Sequence, residues 1–209
     1  MQQLLLELAP PPPPTLENFS PGRNGAAVKA LRDALSGGER FVFLWGPGGS
    51  GKTHLLRAFS SAAAAARLEA VAADDVARLG AGEQLALFDQ CNRLRASKGA
   101  LAASADAPPA RLALRPDLRS RLASGIVLQL HPLSDADKAA ALSAHAAERR
   151  MKLDHELIAY LLTHFDRDMG TQIALLDALD RYSLQLKRAI TLPLLREALR
   201  LIALPEARR

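Results

Sequence analysis

Apolar positions fall into two regimes along this chain. Up to His131, short unbroken apolar runs alternate with helical patterns; after Pro132 only the helical period remains. The run FVFLW (41–45) sits between glycine-rich segments and predicts a strand buried on both faces. LEAVAADDV (68–76) predicts a second strand that ends in two carboxylates, Asp74 and Asp75. ALAASA (100–105) gives a weaker strand signal and GIVLQL (125–130) a stronger one. NGAAVKALRDAL (24–35) reads as a helix with Asn24 as its N-cap and SGG (36–38) as its stop. A second helix runs from Thr53 to near Ala66. A third covers 82–95, with Leu85, Phe88 and Leu94 as its apolar positions. In DAPPARLALRPDLRSRL (106–122) the proline pair forces an extended turn before a helical end.

Past Pro132 the helices follow one another. Ser134-x-x-Asp137 is a variant of the capping box and opens the first. DHELIAYLLTHF (154–165) places Leu157, Ile158, Leu161, Leu162 and Phe165 on one face. GTQIALLDALDRYS (170–183) does the same with Ile173, Leu176, Leu179 and Tyr182. A last helix opens at Thr191 with Pro193 in its first turn, where proline is tolerated. At the other end, residues 1–9 are a short apolar segment set off by five prolines, Pro10–Pro14, a stiff extended spacer. The expected division is a tail and spacer over 1–15, an α/β domain over 16–133 and an all-helical domain over 134–209.

Composition changes this picture little. The 209 residues are 49% hydrophobic and 23% charged, enough to fold an α/β domain and a small helical one. Aromatics make up only 4%, so the cores should be aliphatic. The net charge of +5 fits nearby nucleic acid, an acidic protein partner or plain solubility equally well. The single cysteine, Cys91, falls in a helical pattern and reads as a small buried hydrophobe. One cysteine excludes an intrachain disulfide and fits a reducing compartment. With no run of 18 apolar residues and no secretory signal at the start, a cytoplasmic location is expected.

Chemistry concentrates after the first strand. GPGGSGKTH comprises Gly46, Pro47, Gly48, Gly49, Ser50, Gly51, Lys52, Thr53 and His54, and contains G-x-x-x-x-G-K-[ST] between a strand and a helix. Glycines let consecutive amides turn toward phosphates, and the helix N-terminus adds positive potential. Lys52 can reach the β- and γ-phosphates, and the Thr53 hydroxyl can ligate Mg²⁺. Asp74 can hold the metal and Asp75 can orient an attacking water, or the two are an ordinary strand-to-turn carboxylate pair. Ser104 or Asp106, ending the next strand, could touch the γ-phosphate or that water. Arg119 and Arg121 lie in DLRSRLASG (117–125). From the residues alone they either pair with Asp117 or solvent, or serve as a finger toward a neighbour's nucleotide.

FSPGRN (19–24), GPGGSGKTHLLRA (46–58), VAADDVARL (71–79), SADAPPARL (104–112) and DLRSRLASG (117–125) together resemble the DnaA-type branch of the AAA+ ATPases. The likeness is strongest to its short Hda group. It covers residues 17 to 205, with the motifs in family order and a helical lid not followed by a DNA-binding helix-turn-helix domain. The resemblance implies an AAA+ P-loop domain with a helical lid that binds ADP or ATP with Mg²⁺. It assigns phosphate binding to Lys52 and Thr53, the acidic pair to Asp74 and Asp75, and the arginine finger to Arg121. Gln3, Leu4, Leu6 and Leu8 in QLLLEL resemble a motif that docks on the replicative sliding clamp. The implied partners are the clamp and DnaA, with DNA met through the clamp complex and nucleotide-dependent self-association possible. The implied activity is stimulation of ATP hydrolysis by DnaA, which represses re-initiation of replication.

Three departures stand against this family pattern. The segment between Lys52 and Asp74 is short by a strand and a helix, roughly 30 residues, so either the edge strand beyond the one bearing Asp74 is missing or a disordered stretch is not represented in this sequence. The lid's sensor arginine is replaced by Gly170, with Arg167 nearby but out of register. Ser124 stands where the family carries a bulky residue. A self-sufficient AAA+ motor or helicase loader, and an adaptor stabilised by nucleotide, are the competing functions.

Overall fold

The computed structural model describes residues 12–164 and 169–202. The tail residues Gln3, Leu4, Leu6 and Leu8, and also Phe165 and Arg167, lie outside that range. The chain divides into two compact units, one over Pro13–Pro132 and the other from Leu133 onward.

The first unit is a four-stranded parallel sheet of β1 (Phe41–Trp45), β2 (Ala70–Ala73), β3 (Ala100–Ala105) and β4 (Ile126–Gln129), in the order β2-β3-β1-β4. Strand alternation sends successive side chains of β1 to opposite faces. Val42 and Leu44 pack with Leu31 of α1 (Gly25–Ser36) and with Leu55 and Phe59 of α2 (Lys52–Ala65). Phe41 and Phe43 pack with Leu87, Cys91 and Leu94 of α3 (Ala81–Ser97), and with Leu118 and Leu122 of α4 (Pro116–Ala123). The unbroken apolar run of 41–45 therefore serves two cores at once. Nothing pairs with the outer side of β2 among the described residues, so the strand preceding Asp74 is the sheet edge.

Several sequence expectations are corrected here. Asn24 precedes α1 but makes no capping bond. Its side chain instead donates to the His131 carbonyl at 2.7 Å and accepts the His131 amide at 2.8 Å, tying the start of α1 to the end of the sheet. The strand expected over 68–76 is only four residues long, and Val76 lies in a 3₁₀ turn. Both later strands form as expected, with the weaker signal in the more central place. ALAASA is fully buried between β1 and β2, whereas GIVLQL supplies the half-exposed edge strand β4. Hydropathy of a run measures side-chain transfer, not position in a sheet, and alanines suit a central strand closely covered by helices. Leu85 is 44% exposed; the buried face of α3 is Leu87, Cys91 and Leu94. Cys91 is the buried hydrophobe expected, and burial pushes its thiol up to about 11 against the opposing pull of Arg121 and Arg95.

The second unit holds α5 (Asp135–Glu148), α6 (His155–His164), α7 (Met169–Leu186) and α8 (Leu192–Ile202). The capping box forms as expected: the Ser134 hydroxyl accepts from the Asp137 amide, and the Asp137 carboxylate accepts from the Ser134 amide, both at 3.1 Å. Leu157, Leu161, Leu176, Leu179, Leu194 and Leu195 fill the core. Asp177 on α7 binds His145 of α5 at 2.6 Å and Arg149, the residue that follows α5, at 3.2 Å.

Candidate functional site

β1 ends at Trp45, and the chain turns through Gly46–Gly51 into α2. Two of these glycines are required by close approach. A Cβ on Gly46 would lie 2.3 Å from the Leu130 carbonyl oxygen. One on Gly51, whose φ is +91°, would lie 2.6 Å from the Phe19 ring. Phe19 in turn sits with its ring centroid 5.4 Å from that of His54, and His54 Nε2 is 3.1 Å from the Thr15 carbonyl oxygen. The segment before α1 is thereby fixed on the loop. Pro47, Gly48 and Gly49 are exposed, while Ser50 is buried with no hydrogen-bond partner for its hydroxyl. Lys52 Nζ donates to the carbonyls of Gly46 at 2.7 Å and Pro47 at 3.0 Å, holding its charge over the loop.

Asp74 follows β2 and receives two hydroxyl hydrogens, from Thr53 at 2.6 Å and from Ser104 at 2.5 Å. Burial alone would raise its carboxyl pKa. The Ser104 and Thr53 bonds, the Asp75 amide and the Lys52 charge more than offset this and hold it below the ordinary 3.8. Ser104 is fully buried in β3, and its Oγ also accepts the Asp75 amide at 3.1 Å. These bonds join the sheet to the first turn of α2. The carboxylate of Asp75 goes elsewhere: its backbone is left-handed, φ +49°, and its side chain pairs with Arg78 at 2.7 Å. The D-x-x-R spacing of 75–78 was the available signal for that pair. Asp106 is exposed beyond β3 and has no side-chain partner among the described residues.

The residues gathered here fit a nucleotide with a hard cation. An orphaned buried hydroxyl, a lysine ammonium and the free amides of a helix start face one end of the sheet. A carboxylate kept ionised beside a threonine hydroxyl supplies the oxygen ligands that Mg²⁺ prefers. Gly46, Ser50, Lys52, Thr53, Asp74 and Ser104 make up this group.

Arg121 belongs to a different place. Gly125, just past α4, meets the first residue of β1: a Cβ there would lie 2.1 Å from the Phe41 carbonyl oxygen. The phosphate loop leaves the other end of β1, five residues away, or about 16 Å at 3.3 Å per residue. α2 and α4 also lie on opposite faces of the sheet. The Arg121 guanidinium is 5.9 Å from the Phe88 ring centroid and has no carboxylate partner among the described residues. Asp117, the acid expected to compete for it, is taken by Arg115 through two bonds of 2.8 and 3.2 Å. Arg119 likewise lacks a side-chain partner there. Gly170 lies in the first turn of α7.

Residues 135–199 match the Hda lid domain model. An uncharacterised protein of Haemophilus influenzae is 38% identical over 216 residues, covering 90% of this chain and 94% of that protein. Domain III of the Thermotoga maritima replication initiation protein DnaA has a TM-score of 0.67 at 22% identity, covering 93% of this chain and 98% of the domain. AMPPCP-bound DnaA from Aquifex aeolicus has a TM-score of 0.66 at 24% identity, over 79% of this chain and 65% of that one. The fold is that of an AAA+ P-loop domain followed by a helical lid. Within that class the chain belongs to one family with the Haemophilus protein, a DnaA-like AAA+ family most like Hda.

Proposed function

We propose that this chain binds an adenine nucleotide, ADP or ATP with Mg²⁺, and regulates the replication initiator DnaA. Docked on the DNA sliding clamp through Gln3, Leu4, Leu6 and Leu8, it presents Arg121 to ATP held by DnaA and accelerates hydrolysis. Replication is thereby kept from starting again. The carrying observation is the placement of Arg121, at the opposite end of β1 from its own phosphate loop and without a carboxylate partner among the described residues. A guanidinium so placed is free to act on another molecule's nucleotide, where its fixed charge and donor fork suit a phosphoryl group gaining charge.

The chain's own nucleotide serves as a switch in this reading. Lys52 and the α2 amides hold phosphates, and Thr53 with Asp74 holds Mg²⁺, whose charge would offset that of the phosphates. Asp75 is engaged by Arg78, so slow turnover at this site is expected. Structural likeness to AMPPCP-bound DnaA supports adenine as the base. The test is ATP hydrolysis by ATP-loaded DnaA. Acceleration should require this chain, its nucleotide and clamp loaded on DNA together; acceleration without clamp would overturn the docking step.

A further inference from the structure

We infer that Arg95 and Ser124 position the arginine finger: Arg95 on α3 holds Ser124, and Ser124 holds the last turn of α4 in the register that presents Arg121. This rests on the trans-acting role of Arg121 proposed above.

The contacts form a short chain. Arg95 lies over the ring of buried Phe41 at 4.5 Å, a cation–π contact that fixes the guanidinium against the first residue of β1. The same guanidinium donates to the Ser124 hydroxyl oxygen. Ser124 in turn donates that hydroxyl hydrogen to the Arg121 carbonyl at 2.6 Å, and its amide bonds the same oxygen at 3.3 Å. A helix end leaves its final carbonyls without partners, so a hydroxyl on one of them decides whether the last turn is held or frays. Here the held carbonyl is that of Arg121 itself.

Two further contacts close the frame. Gly125 abuts Phe41, where any Cβ would strike the backbone, so the turn after Ser124 cannot drift from β1. Phe88, seven residues before Arg95 and so on the same face of α3, lies under the Arg121 guanidinium. Cys91 lies between Phe88 and Arg95 on α3, and the charges of Arg95 and of Arg121 on α4 both act on its thiol. α3 thus supports the finger residue twice, at its side chain through Phe88 and at its backbone through Arg95 and Ser124. A small hydroxyl at 124 is needed for this: a bulky apolar side chain could not relay the bond.

The experiment measures ATP hydrolysis by DnaA with clamp-loaded DNA and this chain at saturating concentration. Variants are Ser124→Ala, Ser124→Thr, Arg95→Ala, the Ser124→Ala/Arg95→Ala double and Arg121→Ala. Ser124→Ala and Arg95→Ala should each lower the maximal stimulation about three- to tenfold, as for one lost hydrogen bond, with the half-saturating concentration unchanged. Ser124→Thr, which keeps the hydroxyl, should retain most of it. The double should be no worse than the poorer single, because both act through one carbonyl. If Arg121→Ala abolishes stimulation while Ser124→Ala behaves as wild type, the positioning role is wrong and the finger stands. If Arg95→Ala is severe but Ser124→Ala is not, Arg95 acts on the partner directly and the relay is wrong. If Arg121→Ala itself stimulates fully, both fall together.

Discussion

Thr53 donates its hydroxyl hydrogen to Asp74 across 2.6 Å, joining the first turn of α2 to the edge strand of the sheet. With Ser104 on the other carboxylate oxygen, the pair holds Asp74 ionised. This has a pH signature. Asp74 takes up its proton at lower pH when folded than when unfolded, so its stabilisation is complete above the ordinary value of 3.8. It is lost as pH falls through the lower, folded value. Asp74→Asn should therefore show a slightly smaller fall in melting temperature below about pH 5 than the wild type. The check is thermal unfolding across that range; a steeper acid loss in the variant would contradict the assignment.

On the proposed reading Lys52 serves phosphate more than the fold: among the described residues its ammonium hydrogen-bonds the Gly46 and Pro47 carbonyls, and its charge acts on Asp74 from a distance. Lys52→Ala should weaken ADP and ATP about ten- to a hundredfold, the value of a charge-assisted contact, and leave the melting temperature of the nucleotide-free protein nearly unchanged. Titration with a fluorescent ADP reads both arms.

Asn24 carries the opposite kind of role. It is buried and meets both polar groups of His131. Asn24→Ala strips both partners, at a cost of about 1–3 kcal/mol. Chemical denaturation should show a lower midpoint with an unchanged slope. Asn24→Asp, which keeps the acceptor and loses the donor, should fall between.

Removing residues 1–9 tests the docking segment. The truncated chain should no longer co-migrate with the sliding clamp on gel filtration, while its ADP affinity stays at the full-length value. Co-migration of the truncated chain would reject the assignment of Gln3, Leu4, Leu6 and Leu8.

Local patterns read from the sequence held where one residue type has one physical use. FVFLW could only be a strand covered on both sides, and the glycines of 46–51 mark a loop that passes under Leu130 and Phe19. Ser134 and Asp137 cap a helix because both partners lie three residues apart. What the sequence could not show was partner choice across the fold. Asn24 looked like a cap, yet His131, 107 positions away, offered it two bonds in place of one. Asp75 had the company of Asp74 in sequence but took Arg78 in space. Arg121 had Asp117 four residues before it, an ordinary helical ion-pair spacing, and Arg115 claimed that acid first. A short sheet was legible as one of two outcomes, because a segment of that length between Lys52 and Asp74 has no room for another strand and helix; among the described residues β2 is the edge.

The central claim is that Arg121 acts on a nucleotide held by another molecule. The most direct measurement compares Arg121→Ala and Arg119→Ala in ATP hydrolysis by DnaA with clamp-loaded DNA. An arginine finger is worth roughly 10³–10⁵ in rate when it completes a site. The account predicts that Arg121→Ala loses most of the stimulation, that Arg119→Ala loses less, and that both keep wild-type ADP affinity, clamp binding and melting temperature. Full stimulation by the Arg121 variant would contradict the account, as would an activity loss that only tracks a lowered melting temperature.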